Sequence, residues 1–265
     1  MAKGSRDRQQ RAREKIAQLR AAEARRRRRR LWLAGAAVAV VVIGAVLGIT
    51  LGLTGGSGTG SASGAGSASA SPLRLAPLST LGKLQPAPAA GALGPEHVPV
   101  PAAAALAGTT TAVTGHSVNG IGCDSAEQTL FHIHAHLAIF VNGSARQIPA
   151  AVGIPGAQAQ ATAQGPFIAS GTCFYWLHTH AADGIIHIES PVRRAYTLGD
   201  FFDEWGQPLG PSQVGPAAGH VVALYNGQVY QGNPRNIPLT AHAQIQLEVG
   251  TPLIAPQPIS FPSGL

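Results

Sequence analysis

A strict alternation of apolar and polar residues runs through residues 131–141. Alternation over this length predicts a half-buried β-strand, because successive side chains of a strand point to opposite faces. The apolar face would carry Phe131, Ile133, Ala135, Leu137, Ile139 and Val141. The opposite face would carry His132, His134 and His136. Asn142 and Gly143 follow and tolerate the positive φ of a tight hairpin turn, so a return strand is expected near 144–149.

Further short strands are predicted downstream, with turn residues between them. Residues 173–179 and 185–189 form one predicted hairpin around 182–184, and residues 220–230 form another around Asn226-Gly227. The composition of residues 150–166, rich in Gly, Ala, Gln and Pro, predicts a loop. Residues 241–249 alternate again. Their expected inward face is Ala243, Ile245, Leu247 and Val249, and their expected outward face is His242, Gln244, Gln246 and Glu248.

One short helix interrupts these strands. Thr197 and Asp200 form a helix-capping pattern, and the large apolar residues Phe201, Phe202 and Trp205 follow. The helix should end after about two turns, because Pro208 and Gly210 come next. The fold class predicted from these elements is mainly β, a sandwich or small barrel with one short helix, preceded by a single transmembrane helix and a flexible linker.

The charge of the chain is divided unevenly. Residues 1–30 carry 13 Lys/Arg and 3 Asp/Glu, whereas the remaining residues carry 6 Lys/Arg and 9 Asp/Glu. The net charge of +7 therefore belongs to a basic arm, and the rest of the chain is mildly acidic. No nucleic acid is expected to bind the folded domain. For the arm we expect contact with anionic lipid head groups, with a nucleic acid or a cytoplasmic partner as the alternative.

Residues 31–53 form a run of 23 residues without a charged side chain. As a helix this run would be about 35 Å long, enough to cross a bilayer. A cleaved signal peptide is the alternative, but its apolar region is shorter and its charged region much shorter than here. An uncleaved signal anchor is therefore predicted. Six consecutive arginines, residues 25–30, place the N-terminus in the cytoplasm and the C-terminal domain outside a cell membrane crossed once.

Composition also sets the expected domain limits. Residues 54–108 are first rich in Gly, Ser and Ala and then in Pro and Ala, which predicts a linker. Residues 109–265 then form the predicted extracytoplasmic, histidine-rich β domain, preceded by the basic arm (1–30) and the transmembrane anchor (31–53).

The chain has two cysteines, Cys123 and Cys173, both on the expected outer side. A pair in an oxidising compartment usually forms a disulfide. Thiolate ligation of a metal beside the histidines is the alternative, although the separation fits no Cys-x-x-Cys spacing.

Six of the ten histidines fall at period-two spacing on three predicted strands, which indicates a metal site. Residues i and i+2 of a strand are about 6.5–7 Å apart, so two such rings can reach one ion. The strongest candidates are His178, His180 and His187, followed by His134 and His136 and then His132. Glu189 is a candidate fourth ligand, a residue that orients a ligand, or a general base. A solvent-exposed polar face without a metal is the alternative interpretation.

The available ligand types favour zinc or copper(II). Met1 is the only methionine and the cysteines are expected to pair, so a blue-copper site or a soft copper(I) carrier lacks its ligands. Phe131-His132-Ile133-His134 resembles the His-x-His strand of copper/zinc superoxide dismutases, without their later zinc loop. His178-x-His180 followed by Glu189 is similar to the first cupin motif, with a longer His-to-Glu spacing. Both resemblances imply only that such pairs on strands hold metals.

Three functions follow from these expectations. The first is a membrane-anchored extracytoplasmic domain that binds zinc or copper, with a role in metal binding, buffering or sensing. The second is an extracytoplasmic metalloenzyme, which would use copper for redox chemistry or zinc-activated water for hydrolysis. The third is a cell-envelope interaction module without a metal.

Overall fold

The computed structural model describes residues 73–109 and 115–265. Within these residues the chain forms fifteen strands, one α-helix, and 3₁₀ turns at Leu78–Leu81 and Pro234–Asn236. The strands are β1 Leu75–Ala76, β2 Cys123–Asp124, β3 Phe131–Val141, β4 Ser144–Arg146, β5 Gln158–Thr162, β6 Gly165–Ser170, β7 Phe174–Tyr175, β8 Leu177–His178, β9 Ile185–Ser190, β10 Leu209–Gly210, β11 Gln213–Val214, β12 Ala217–Ala218, β13 Val221–Tyr225, β14 Gln228–Tyr230 and β15 Ala243–Val249. The α-helix, α1, is Leu198–Trp205.

The main sheet has eight strands and β3 at its centre. Its order is β1-β14-β13-β15-β3-β9-β8, and β4 pairs with the C-terminal part of β3. β15 runs parallel to β3, whereas the other pairs are antiparallel. The sheet is open at β1 and β8, so the expected small barrel is not formed. The fold is mainly β with one short helix, as the sequence indicates.

The apolar face of β3 packs into the core. Leu137 and Ile139 are buried and belong to the same hydrophobic cluster as the aromatic residues of α1, which are Phe201, Phe202 and Trp205. The helix begins as expected, because the Thr197 side chain accepts from the Asp200 backbone N–H and Asp200 accepts from that of Thr197. It ends after about two turns, as expected, with Gly206 in the left-handed conformation at its C-terminus.

Two parts of the chain carry more structure than the sequence indicates. Residues 158–162 and 165–170 form the antiparallel hairpin β5–β6, although residues 150–166 were expected to be a loop. The segment 73–108, assigned from composition to the linker, lies against the domain: β1 pairs with β14, and Val98 is fully buried. Proline and alanine do not prevent packing here, because Gln85, Gly94 and other residues hydrogen-bond through their backbones.

The polar face of β15 is covered rather than exposed. Gln246 and Glu248, both expected outward, are buried. The C-terminal residues lie over them: the backbone N–H of Ile254 donates to Glu248 Oε1, and that of Gln257 donates to Gln246 Oε1. The prediction that β15 faces solvent is therefore wrong at these two positions, because the C-terminal segment supplies hydrogen-bond partners for both polar side chains.

The predicted disulfide is confirmed. Cys123 and Cys173 are bonded, and they link the neighbourhood of β2 to that of β7.

The predicted anchor at residues 31–53, the basic arm and the first part of the linker lie outside the described residues. Among the residues that are described, no helix is both long enough and apolar enough to span a bilayer.

Candidate metal centre

Three histidines lie side by side across three neighbouring strands. His134 of β3 is opposite His187 of β9, and His187 is opposite His178 of β8. Directly opposed residues of antiparallel strands point to the same face, so the three rings share one face of the sheet. The ring centroids of His134 and His187 are 4.6 Å apart, and those of His178 and His187 are 5.4 Å apart.

The predicted ligands assemble around this row in two overlapping sets. Within each set, the candidate ligand atoms lie within 4.8 Å of one another. The first set is His132, His134, His187 and Glu189, and the second is His178, His180, His187 and Glu189. All but one of the seven predicted ligands belong to these sets, and all of these except His132 are buried. A buried His/Glu cluster that could hold a metal ion is thus present.

His136 is the predicted ligand that belongs to neither set. It lies two residues after His134 on β3 and is paired with Ile185 of β9, so no histidine of β9 lies opposite it. Its ring is buried and lines a cavity of about 530 Å³ together with Asp183 and Arg146. Burial lowers the pKa of His136 to about 4, so this imidazole is neutral near pH 7.

Backbone carbonyls fix the orientation of His178 and His180. Nδ1 of His178 lies 2.8 Å from the carbonyl oxygen of Tyr175, and Nδ1 of His180 lies 2.6 Å from that of Ile168. A carbonyl oxygen only accepts, so each Nδ1 carries the proton and donates it. The Nε2 lone pair of each ring is therefore directed into the cluster, which is the arrangement found for metal-ligating histidines.

The two lone pairs face each other. Nε2 of His178 and Nε2 of His180 are 3.1 Å apart. Burial is the main cause that lowers the pKa of both rings, and the nearby charge of His187 lowers it further. Neither Nε2 therefore carries a proton near neutral pH. Two unprotonated nitrogens at this distance repel each other unless a cation lies between them. The geometry suits a shared metal ion, because neutral imidazole is the form that binds metals.

A similar pair lies on β3. Nε2 of His132 is 3.1 Å from Nε2 of His134 and 3.1 Å from Oε1 of Glu189. Burial, together with the neighbouring charges of His187 and His132, lowers the pKa of His134 to about 3. His134 is therefore neutral as well, and it offers a lone pair beside a carboxylate.

His187 is the centre of the cluster and has a different electrostatic environment. Its Nε2 lies 2.7 Å from Oε1 of Glu96, and its Nδ1 lies 3.4 Å from Oε1 of Glu189. Burial by itself lowers the pKa of His187, but the nearby carboxylates of Glu189 and Glu96 outweigh it and raise the pKa to about 9. Both Glu96 and Glu189 also have a buried Oε2 without a hydrogen-bond partner among the described residues.

Two local features hold the cluster in place. Gly184 adopts φ +84° in the turn before β9, and a Cβ there would lie 2.4 Å from the Leu137 carbonyl oxygen. Only glycine permits this approach, which aligns His187 with His134. Between His178 and His180, the Thr179 hydroxyl donates to the Pro149 carbonyl and accepts from the Val152 backbone N–H. The intervening residue therefore anchors both histidines to a neighbouring loop.

Sequence reasoning missed two acidic residues of the cluster, Glu96 and Glu127. Glu96 comes from the segment assigned to the linker, and Glu127 places Oε1 3.4 Å from Nε2 of His180. Burial, followed by repulsion from Glu189, raises the pKa of Glu127. A signal for Glu96 exists, because it is the only acidic residue in 73–108. An isolated charge in an apolar segment needs a partner if that segment is buried.

The chain was compared with protein-family models, with curated proteins and with solved structures, and none of them matches. The resemblances to superoxide dismutases and cupins therefore remain limited to the few residues that carry them. The cluster itself is the feature of the molecule that indicates a function.

Proposed function

We propose that this chain is a membrane-anchored extracytoplasmic protein whose β domain binds zinc or copper through the histidine cluster, and that it serves in metal binding, buffering or sensing. The observation that carries the proposal is the pair His178 and His180, whose unprotonated Nε2 atoms face each other at 3.1 Å inside the protein. Desolvated lone pairs in this arrangement cost free energy, and a divalent ion bound to both removes that cost.

The ligand types support zinc or copper(II). The cluster consists of imidazoles and carboxylates, and the two cysteines are bonded to each other and supply no thiolate. Imidazole suits zinc and copper, whereas the magnesium and calcium sites of proteins consist mainly of oxygen ligands.

The membrane location is supported by sequence and by the disulfide. Residues 31–53 are apolar and uncharged, and residues 25–30 are arginines. The bonded pair Cys123 and Cys173 is typical of compartments outside the cytoplasm. Protease treatment of intact cells tests this location. Digestion of the domain with retention of the arm is expected, and a domain that resists until the cells are lysed would contradict it.

Metal content tests the metal-binding function. The full chain would be produced without a histidine tag, dialysed against zinc or copper(II), and measured by mass spectrometry of the elements. Bound metal is expected in the native chain and in His116→Ala/His220→Ala, which removes two exposed histidines outside the cluster. His178→Ala/His180→Ala should lose most of it while keeping its circular dichroism. A native chain that takes up neither metal would overturn the proposal.

A further inference from the structure

The two ligand sets overlap in a way that one ion does not explain. They share His187 and Glu189, but one set adds His132 and His134 and the other adds His178 and His180. Strand β9 lies between β3 and β8, so the two added pairs lie on opposite sides of His187. A single ion at either pair would leave the other pair without a cation.

Each histidine pair has the spacing of two ligands on one ion. A tetrahedral zinc with bonds of about 2.05 Å to nitrogen holds its ligand atoms about 3.3 Å apart. The Nε2–Nε2 distance is 3.1 Å for His132 and His134 and also 3.1 Å for His178 and His180. Both pairs are therefore arranged for an ion, and the two pairs belong to different sets.

Glu189 is placed to connect the two ions. Its Oε1 lies 3.1 Å from Nε2 of His132, a member of the first set, and 3.4 Å from Nδ1 of His187, which both sets share. Its Oε2 is buried and has no hydrogen-bond partner among the described residues. A carboxylate with one oxygen between the first set and the shared ring, and a second oxygen left free, can bridge two ions, which in two-metal sites are about 3.5–4 Å apart.

Acidic residues around the histidines require positive charge from bound ions. Glu96, Glu127 and Glu189 each place an oxygen within 3.4 Å of a histidine nitrogen of the cluster. Glu96 and Glu189 are almost completely buried, with side chains that are 6% and 5% exposed. Glu127 is 42% exposed, so solvent carries part of its charge. The two buried carboxylates require positive charge beside them, and divalent ions in the cluster provide it.

From this geometry we propose that the cluster is a dinuclear centre for two divalent transition-metal ions bridged by the Glu189 carboxylate. One ion binds His132 and His134, and the other binds His178 and His180. Nε2 of His187 is held by Glu96, so its buried Nδ1 is the atom that serves as a further ligand to one of the two ions. This inference rests on the proposed function, because it specifies the form of the same metal site.

Zinc stoichiometry is the first part of the test. The full chain, stripped by a chelator and titrated with zinc, is expected to bind about two ions. His132→Ala/His134→Ala and His178→Ala/His180→Ala should each retain about one ion, and His116→Ala/His220→Ala should retain both. One ion in the native chain would overturn the dinuclear centre and leave the proposed function standing. Zero ions would overturn both.

Copper(II) provides the second part, because two bridged copper ions couple magnetically. Electron paramagnetic resonance should show an isolated-ion signal in each paired-histidine variant and a coupled signal in the fully loaded native chain. Glu189→Gln should abolish the coupling and lower the affinity for one of the two ions by about tenfold or more, while the fold is kept. Two bound ions with uncoupled spectra in the native chain would overturn the carboxylate bridge.

Discussion

Oε1 of Glu96 lies 2.7 Å from Nε2 of His187, although 91 positions separate the two residues in the chain. The contact joins the segment before the β domain to the centre of the histidine cluster. Both side chains are almost completely buried. The segment therefore supplies a charged group to the site and covers it at the same time.

Replacing Glu96 with alanine should destabilise the metal-free protein by about 2–3 kcal/mol, because it removes one partner of a buried charged pair. Glu96→Gln should cost less, since an amide oxygen still accepts from His187. Urea unfolding in the presence of a chelator measures the effect. The matched control is Lys83→Ala, an exposed residue of the same segment. Equal stability of Glu96→Ala and Lys83→Ala would show that the contact is not formed in solution.

The turn before β9 is expected to require glycine at position 184. Gly184→Ala combines φ +84° with a contact of 2.4 Å to the Leu137 carbonyl. The control is Gly227→Ala, at φ +75° with no atom within 4 Å of the new Cβ. Gly227→Ala should lower the free energy of unfolding by about 1 kcal/mol, because of backbone strain alone. Gly184→Ala should lower it by about 2 kcal/mol or more. Thermal unfolding checks the order, and only Gly184→Ala should reduce zinc binding as well.

Acid should destabilise the metal-free protein partly through His136. Burial lowers the pKa of His136 to about 4, compared with an ordinary value of 6.5. Between these values the unfolded chain binds a proton that the folded chain does not, so stability is lost as the pH falls from 6.5 to 4. The loss should be on the order of 2 kcal/mol. His136→Gln should make the unfolding free energy less dependent on pH in this window; an unchanged pH dependence would contradict the assignment.

Glu248 should make the protein less stable as the pH rises, which is the opposite of the effect of His136. Burial raises its pKa from 4.5 to about 7, although hydrogen bonds from Gln246 and Ile254 oppose the shift. Between pH 4.5 and 7 the folded chain holds a proton that the unfolded chain has lost, so stability falls as the pH rises through this window. Glu248→Gln keeps an acceptor for Ile254 and should be more stable than the native chain at pH 8 by about 1–2 kcal/mol. Chemical unfolding at pH 4.5 and pH 8 measures both values. A stabilisation of the same size at both would point to a cause other than ionisation.

Breaking the disulfide should destabilise the domain by about 2–5 kcal/mol, because the bond closes a loop between residues 50 positions apart. Cys123→Ala/Cys173→Ala tests this without a reductant. Dithiothreitol should lower the unfolding free energy of the native chain by the same amount as the double substitution does. The unfolding free energy of the double variant should not change when dithiothreitol is added. Equal midpoints for the native chain and the variant would indicate that the loop contributes nothing to stability.

The sequence predicts those parts of the site that local periodicity determines. The alternation through β3 identifies His132 and His134 on one face, and the 182–184 turn brings His187 beside His178 without any long-range information. The disulfide is predictable in the same way, because only two cysteines are present.

Other parts depend on contacts that periodicity does not encode. His180 is oriented by the carbonyl of Ile168, which belongs to a hairpin that composition presents as a loop. The burial of Gln246 and Glu248 depends on the C-terminal segment that covers them. The parallel pairing of β15 with β3 likewise joins distant segments, and a pattern within one strand cannot indicate its neighbour.

The contact between Glu96 and His187 also has a consequence for biosynthesis. The chain is made from its N-terminus, so Glu96 leaves the ribosome well before His187, and β15, which supports β3, comes later still. The last candidate ligand is Glu189, and β3 gains its neighbour β15 only after residue 249 has been synthesised. Under the proposed function, metal loading would therefore follow synthesis of the domain.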